Sequence, residues 1–294
     1  MIYLTLGGGL GNQMFQYAFA KIISLKTNQR IVLNLYHIER DKIRDMSLQN
    51  LSIEDIRVCP RIIGYLIGCK IKLTGKIAKR KEKKEDWKRK RGYYTEPEVY
   101  KYIPLMDDYL TKKNYYIEGG FQTPLYFADI RNDLIREFRI SGMPETKNRE
   151  MMDRIKKTNS VCLHIRRGDY LDFQNLNLCT YQYYLNAMRY ISEKEADPVF
   201  FVFSTSHADI QWIRDNYDFS CYSLVYVDLD NVDYEELRLM SECRHFIMSN
   251  STFSWWAQYL SSEKDKIVVA PNRWNTDLPD DDNIYMEDWH LIEV

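Results

Sequence analysis

Two adjacent arginines follow a short apolar run in the stretch VCLHIRRGDY, residues 161–170. The apolar run predicts a buried strand, and burying a guanidinium group without a partner costs several kcal/mol. The strand either ends in solvent, with Arg166 and Arg167 in surface ion pairs, or delivers both side chains to an anionic ligand. Because arginine presents a planar fork of donors that fits phosphate oxygens, and Gly168 permits a turn, the pattern suits a diphosphate.

Two further polar loops have the composition of oxygen-binding sites. The loop GGGLGN, residues 7–12, lacks the spacing of a dinucleotide fingerprint and the GKS or GKT of a P-loop. It makes a tight turn or offers backbone amides at a helix start, where Asn12 and Gln13 add side-chain donors and acceptors. The stretch SNSTFSWW, residues 249–256, caps a helix or binds phosphate through the same free amides.

The elements that must position these loops form two α/β regions. The strand IYLTL, the helix NQMFQYAFAKIISLK and the strand RIVLNL make a β-α-β opening. The stretch ISGMPETKN, residues 140–148, combines glycine and proline in a polar context and predicts a linker. Beyond it strands and helices alternate, which predicts a doubly wound sheet. Ligands bind outside the carboxyl ends of such strands, where HIRRGD, FSTS, VDLD and SNSTFS all fall.

Composition narrows the classes of function. The chain has 294 residues, 45% of them hydrophobic, and a net charge of −1, so it can bury a sizeable core and we expect no nucleic-acid partner. No apolar stretch reaches the roughly 18 residues of a spanning helix, and the N-terminus lacks signal-peptide features, so we expect a cytoplasmic protein. Six scattered cysteines without a C-x-x-C motif disfavour a zinc site, and VDLD, residues 227–230, lacks a diagnostic magnesium spacing. Arginine is therefore preferred over a metal as the group that neutralises the charge of an anionic ligand.

The segment KIAKRKEKKEDWKRKR, residues 76–91, is strongly basic. Its polarity suits a solvated helix or a mobile insertion. The alternative is an electrostatic contact with anionic lipid or with a lipid-linked acceptor. Such a contact would hold a cytoplasmic protein peripherally at the inner face of the membrane.

Three stretches in order, GGLGNQMFQYAFAK, HIRRGDY and LMSECRHFIMSNSTFSWW, closely resemble the α-1,2-fucosyltransferases of glycosyltransferase family 11. EGGFQTPLYF and APNRW extend the resemblance from Leu6 almost to the C-terminus. It implies a GT-B-like α/β fold of two Rossmann-like domains facing a cleft, with residues 1–145 on the acceptor side and residues 146–294, doubly wound, binding the GDP-sugar. It also implies transfer of L-fucose from GDP-β-L-fucose to the 2-hydroxyl of a terminal β-galactose, with inversion and without a metal or other cofactor.

Carried over position by position, the resemblance makes Arg166 the holder of the GDP β-phosphate, with Arg167 beside it and His164 near the nucleotide. It assigns a further set of donor-binding residues in the closing motif: Asn250, Ser251 and Thr252. Ser251 and Thr252 would bind phosphate oxygens. On the acceptor or cleft side it places Gly11, Asn12 and Gln13, with Asn12 reaching towards donor or acceptor.

Two carboxylates receive alternative roles. Glu236 stands where the family usually has aspartate and would accept hydrogen bonds from guanine N1 and N2; otherwise it is a solvated helix residue beside Glu235. Asp169 is a candidate catalytic base for the acceptor hydroxyl, or it braces the neighbouring arginines. These alternatives are open at the level of sequence.

The stretch FVFSTSHAD departs from the family, which commonly has an acidic pair in the sequence FSDD. Thr205 and Ser206 replace that pair here, and Asp209 is displaced. The sequence assigns no role to the replacement. Two other functions stay open, namely a transferase for another GDP-sugar and a non-catalytic carbohydrate-binding protein. The expected acceptor is a galactose-terminated glycan precursor, with a lipid-linked precursor as one candidate.

Overall fold

The structure, a computed structural model, describes residues 1–81, 83–96, 100–277 and 283–294. It divides into two compact units. The first unit is Met1–Arg139 with Asn283–Tyr285, and the second unit is Ile140–Asp282 with Met286–Val294. The division after Arg139 comes six residues before the boundary predicted from the sequence, after residue 145. The return of a short C-terminal segment to the first unit has no signal in the sequence.

Four strands in the described part of the first unit form a parallel sheet: β1 (Ile2–Thr5), β2 (Ile31–Asn34), β3 (Tyr93–Thr95) and β4 (Tyr115–Glu118). Their order in the sheet is β2-β1-β4-β3. The helices of the unit are α1 (Leu10–Thr27), α2 (Arg61–Ala78), α3 (Lys84–Arg89) and α4 (Arg131–Glu137). The predicted β-α-β opening is confirmed.

Helix α1 carries the glycine loop on its N-terminal end. Gly8 has a φ of 75°, and a Cβ atom there would overlap the side chain of Asn12, so the turn into the helix requires glycine. The helix buries Phe15 and Phe19, and the Phe19 ring stacks on that of Phe121 at a centroid distance of 3.9 Å. This apolar contact fixes the start of α1 above the carboxyl end of the sheet.

Six strands form the parallel sheet of the second unit within its described residues: β5 (Asn159–His164), β6 (Pro198–Phe203), β7 (Ser223–Tyr226), β8 (His245–Ile247), β9 (Val268–Pro271) and β10 (His290–Ile292). Their order is β10-β9-β8-β5-β6-β7. The helices are α5 (Thr146–Lys156), α6 (Tyr181–Ser192), α7 (His207–Asn216), α8 (Asp233–Ser241) and α9 (Thr252–Leu260). The predicted alternation of strands and helices is confirmed.

Two details of the second unit differ from the prediction. Helix α5 begins at Thr146, inside the predicted linker 140–148, so the irregular connection is shorter than the Gly-Pro pattern suggests. The sequence after FVFS predicts a helix from about Asp209, whereas α7 begins at His207, because the Ser206 side chain accepts a hydrogen bond from the Asp209 amide and caps the helix.

Strand β5 lies inside the sheet, between β6 and β8. Its Leu163 pairs in register with Val202 and Ile247, and all three side chains are buried. Because the strands are parallel, the loops after β5, β6 and β8 open at one edge of the sheet. The sequence predicted this shared edge for the polar loops, and the topology confirms it. In the described chain no helix combines the length and apolarity needed to cross a bilayer.

Candidate functional site

His164, the last residue of β5, ties that strand to the end of β8. Its side chain is buried, and Nδ1 lies 3.1 Å from the Ser249 hydroxyl oxygen. Burial, with the positive charge of Arg166 as a second cause, lowers the pKa of His164 to about 3. The imidazole is therefore neutral at physiological pH, and it serves as a fixed hydrogen-bonding group.

Arg166 is held by an aspartate and an aromatic ring. Its Nη2 lies 2.5 Å from Oδ1 of Asp169, and its guanidinium carbon lies 5.0 Å from the centroid of the Tyr170 ring. The Tyr170 hydroxyl donates in turn to the carbonyl oxygen of Asn250, at 3.1 Å. This chain of contacts links the loop after β5 to the loop after β8.

Arg167 lies against a different helix. Its guanidinium carbon stacks 3.3 Å from the centroid of the Trp212 ring, and its Nε lies 3.4 Å from Oδ1 of Asp209. That distance gives an ion pair without hydrogen-bond geometry. Each arginine side chain is 14% exposed, so both are fixed and mostly withdrawn from water.

The Nε groups of Arg166 and Arg167 are buried, and neither has a hydrogen-bond acceptor among the described residues. Leaving a buried donor unsatisfied costs about 1–3 kcal/mol, and more for a charged group. The Arg167 Nε has the Asp209 carboxylate at 3.4 Å, so the Arg166 Nε is the more clearly unsatisfied of the two. Adjacent guanidinium groups at the carboxyl end of a central strand match an anion that brings its own oxygens. This arrangement favours the ligand-binding interpretation of the arginine pair over the solvent-exposed one.

The loop after β5 approaches the loop after β6 very closely at Gly168. This residue has a φ of 53°, and a Cβ atom there would lie 3.0 Å from Cγ2 of Thr205. Thr205 therefore packs on the arginine loop, Ser206 caps α7, and Asp209 pairs with Arg167. Thr205 and Ser206, which replace the family's acidic pair, and the displaced Asp209 therefore stabilise the loops next to Arg166 and Arg167.

The loop after β8 contains Asn250, Ser251 and Thr252, the residues for which the resemblance implies donor binding. Asn250 is buried, and its amide donates to the carbonyl oxygens of Leu176 and Trp274, both at 2.9 Å. Its side chain therefore fastens neighbouring loops. Ser251 accepts a hydrogen bond from the Phe253 amide, at 3.3 Å, and is the N-cap of α9. Thr252 opens that helix, whose first turn carries no acidic residue.

Glu236 lies on α8 and is half-buried. Burial, assisted by the negative charge of Asp228, raises the pKa of Glu236 to about 7, although a hydrogen bond from Asn231 opposes the shift. Its neighbour Glu235 instead pairs with Arg238 at 3.1 Å. The environment of Glu236 disfavours a merely solvated helix residue.

In the first unit, the three predicted residues of the glycine loop have different environments. Gly11 is buried within α1. Gln13 is also buried; its amide donates to the carbonyl oxygens of Gly8 and Asp45, at 2.9 and 2.7 Å, and its oxygen accepts from the Ser47 amide at 3.0 Å. Gln13 is therefore a brace of the loop. The Asn12 side chain accepts a hydrogen bond from Gln122, at 3.0 Å.

Glu96 and Gln122 form part of this region, and sequence reasoning missed both. Glu96 accepts a hydrogen bond from the Phe121 amide, and Phe121 adopts a left-handed φ of 53°. Burial raises the pKa of Glu96 to about 8. Glu96 thereby fixes the turn that presents Gln122 to Asn12. The stretch EGGFQ, residues 118–122, contains Gln122 and belongs to the family resemblance, but it gives no role to Gln122. Glu96 has no corresponding signal in the sequence.

The sequence profile of Glycosyl transferase family 11 matches residues 1–293. The chain is 30% identical to the Escherichia coli "Alpha-1,2-colitosyltransferase", over 93% of this chain and 92% of that protein. It is 29% identical to the Escherichia coli "O-antigen biosynthesis glycosyltransferase WbnK", over 93% and 94% of the two chains.

A solved structure gives the fold. Arabidopsis thaliana FUT1, in a variant complexed with GDP, superposes with a TM-score of 0.56 at 12% identity and covers 94% of this chain and 71% of that one. The likeness confirms the predicted GT-B-like α/β fold class.

Proposed function

Because the chain belongs to glycosyltransferase family 11, we propose that it transfers L-fucose from GDP-β-L-fucose to the 2-hydroxyl of a terminal β-galactose. The reaction inverts the anomeric carbon, forms an α-1,2 linkage and needs no metal. The observation that carries this proposal is the pair of adjacent guanidinium groups of Arg166 and Arg167, both held in place just after the central strand β5.

The arginines act on the leaving group. Breaking the bond between fucose and phosphate leaves negative charge on the β-phosphate of GDP, and fixed cations aimed at that charge lower the barrier. Arg166 binds the β-phosphate and Arg167 lies beside it. The Asp169 and Trp212 contacts hold the two guanidinium groups in place before the donor arrives, so little reorganisation is needed.

The acceptor hydroxyl loses its proton as it attacks the anomeric carbon from the face opposite to GDP. Of the two roles predicted for Asp169, its 2.5 Å contact with Arg166 supports the bracing role. The departure of GDP drives the reaction, the proton of the acceptor hydroxyl passes to solvent water, and Asp169 positions Arg166.

Glu236 recognises the guanine ring of the donor through hydrogen bonds. When ionised, its carboxylate accepts hydrogen bonds from N1 and N2 of guanine. A group with a pKa of about 7 ionises readily at physiological pH once those two donors stabilise the anion. Ser251 and Thr252, at the start of α9, bind phosphate oxygens.

A second candidate donor is GDP-colitose. The E. coli relative named as a colitosyltransferase, 30% identical over almost the whole chain, supports it. Colitose is fucose without the 3-hydroxyl, and a site that hydrogen-bonds a hydroxyl rejects the analogue lacking it much more strongly than a hydrophobic pocket does. The two donors are therefore separable by kcat/KM.

We propose that the acceptor is a galactose-terminated precursor of a surface glycan, carried on a lipid at the cytoplasmic face of a membrane. The second E. coli relative, named as an O-antigen biosynthesis glycosyltransferase, supports this class of acceptor.

The test is release of GDP from GDP-fucose and, in parallel, from GDP-colitose, with EDTA present and with a panel of β-galactosides. Release that depends on the acceptor, and that Arg166→Ala abolishes, establishes a metal-independent transferase. A product linked elsewhere than at the galactose 2-hydroxyl would overturn the linkage. GDP binding without turnover on any β-galactoside would keep the donor site, count against the carbohydrate-binding alternative and overturn the proposed acceptor.

A further inference from the structure

Helix α2 carries apolar side chains on two opposite faces. The inner face consists of five buried residues: Gly64, Ile67, Gly68, Ile71 and Ala78. Ile67 and Ile71 pack in a cluster with Tyr93 and Tyr116 of the sheet. A Cβ atom on Gly64 would overlap the Asn34 side chain, so the helix lies as close to β2 as its backbone permits. The rotation of α2 about its axis is therefore fixed.

The opposite face is exposed. We call it the outer stripe, and it consists of Ile62, Leu66, Cys69, Leu73 and Ile77. Spacings of three and four residues put these side chains on one line along the helix. Ile62 is 77% exposed, and Leu66 and Leu73 are each 59% exposed. Single exposed apolar residues are ordinary on soluble proteins, but a continuous line of five indicates a contact surface.

Basic residues adjoin the outer stripe. The basic segment 76–91, predicted from the sequence as a possible membrane contact, begins within α2 and contains ten Lys or Arg residues against three Asp or Glu residues. Residue 82 lies outside the described residues. Ion pairs join Lys88 to Glu85 and Lys90 to Asp86, whereas Lys79, Arg80 and Lys81 are exposed at the end of the stripe.

We propose that the outer stripe and the basic segment together dock the protein on an anionic lipid bilayer. The stripe enters the boundary between headgroups and acyl chains, and the basic residues pair with lipid phosphates. Charge selects this occupant over a second copy of the chain, because two copies meeting through this face would bring two basic segments together. The proposal is independent of the donor and acceptor proposed above, since lipid binding requires neither.

The experiment uses two exposed cysteines of the chain, Cys69 on the outer stripe and Cys221 in the second unit. A polarity-sensitive fluorophore is attached to Cys69 in a Cys221→Ser variant, and to Cys221 in a Cys69→Ser variant. Each labelled protein is mixed with vesicles of phosphatidylcholine, with or without phosphatidylglycerol. We expect a blue shift only from the Cys69 label and only on the anionic vesicles. Equal shifts at both positions, or no shift at either, would overturn the proposal.

Vesicle flotation then separates the apolar and electrostatic contributions. We expect Lys79→Gln/Arg80→Gln/Lys81→Gln to weaken binding roughly 100-fold, as the loss of three charges near an anionic surface predicts. The matched control neutralises exposed lysines elsewhere: Lys26→Gln/Lys157→Gln/Lys264→Gln. It should bind like the parent protein. If both variants lose affinity equally, the docking is not local to this segment and the proposal fails.

The stripe itself is tested by Ile62→Ser/Leu66→Ser/Leu73→Ser, against the control Leu25→Ser/Met143→Ser/Leu291→Ser, whose sites are also exposed apolar residues. We expect only the stripe variant to lose vesicle binding. Sedimentation in the absence of lipid measures whether the protein associates with itself through this face. A parent protein that is dimeric, and that the stripe variant converts to a monomer, would assign this face to a second copy and overturn the lipid proposal.

Discussion

Oδ1 of Asp169 lies 2.5 Å from Nη2 of Arg166, three residues earlier in the chain. The arginine is 14% exposed and the aspartate 38%, so the carboxylate lies at the solvent side of the pair. The contact occupies Nη2 of Arg166, whereas Nε of the same guanidinium lacks a hydrogen-bond acceptor among the described residues. Asp169 thus determines which donors of Arg166 remain for a ligand.

The bracing role of Asp169 predicts a moderate effect of Asp169→Asn. Asparagine keeps the shape but removes the charge, so we expect kcat/KM to fall by less than the roughly 100-fold that loss of a general base typically costs. The pH profile of kcat should keep its shape. Disappearance of the acidic limb in the variant would instead identify Asp169 as the base.

Arg166→Ala should lower kcat by about 100- to 1000-fold, the usual cost of removing one donor from a charge-stabilising site. Arg166→Lys should restore little of the rate that Arg166→Ala loses, because a single ammonium group cannot reproduce the planar fork of the guanidinium. Rates are measured as acceptor-dependent GDP release, with Arg149→Lys, a substitution on α5, as the control. Near-parental turnover of Arg166→Lys would remove Arg166 from the proposed role.

The pKa of Glu236, raised to about 7, predicts a pH-dependent affinity for GDP. Guanine donors bind only the ionised carboxylate, so affinity should increase as pH rises towards 7 and level off above it. Below pH 7 the slope approaches about tenfold per pH unit. Because GDP phosphates titrate in the same range, calorimetry should compare the parent with Glu236→Gln, which shares the phosphate titration. Parallel curves for the two proteins would contradict guanine recognition by Glu236.

Because His164 is buried and neutral, we expect the free energy of unfolding to decrease at acidic pH. Its pKa is lowered from 6.5 to about 3, so the unfolded chain takes up the proton first as pH falls. The stabilising contribution is complete above pH 6.5 and is lost as pH falls towards 3, by up to roughly 1.4 kcal/mol per pH unit. In urea unfolding, His164→Gln should be less stable at pH 7 but should show a shallower pH dependence. If the unfolding free energy of His164→Gln changed with pH as steeply as that of the parent, the lowered pKa of His164 would be refuted.

Gln122 is predicted to act through Asn12. Replacing the 3.0 Å hydrogen bond by Gln122→Met should raise KM for the acceptor about 3- to 10-fold, the usual worth of one hydrogen bond. The Kd for GDP should not change, because the proposed donor residues belong to the second unit. In a double-mutant cycle with Asn12→Ala, the second substitution should add little to the first. Additive effects would show that the two side chains act separately.

The positions of the donor-side loops were predictable because each follows an apolar strand run, and parallel pairing brings strand ends to one edge. The contacts of the arginines were not. Trp212 and Asp209 reach Arg167 from a helix more than forty residues further along the chain. No local pattern encodes such a pairing, because it depends on how α7 packs on the sheet. The half-buried setting of Glu236 is likewise a product of tertiary packing.

Helix α2 shows a different limit of sequence reasoning. A surface helix is recognised by one apolar face and one polar face. In α2 the inner face and the outer stripe are both apolar, so the sequence does not show one apolar and one polar face, and no helix is predicted there. The apolar outer stripe therefore makes α2 hard to recognise in the sequence, and the same stripe is the unusual feature of its surface.

A protein held on a bilayer through the outer stripe searches for a lipid-linked acceptor in two dimensions. Its effective substrate concentration is then the surface density of the acceptor in the membrane, and the bulk concentration ceases to matter. Diluting the acceptor with inert lipid at constant total acceptor would slow the enzyme, while diluting the whole suspension would leave the rate per bound enzyme unchanged. Helix α2 would in this way make glycan synthesis responsive to membrane composition.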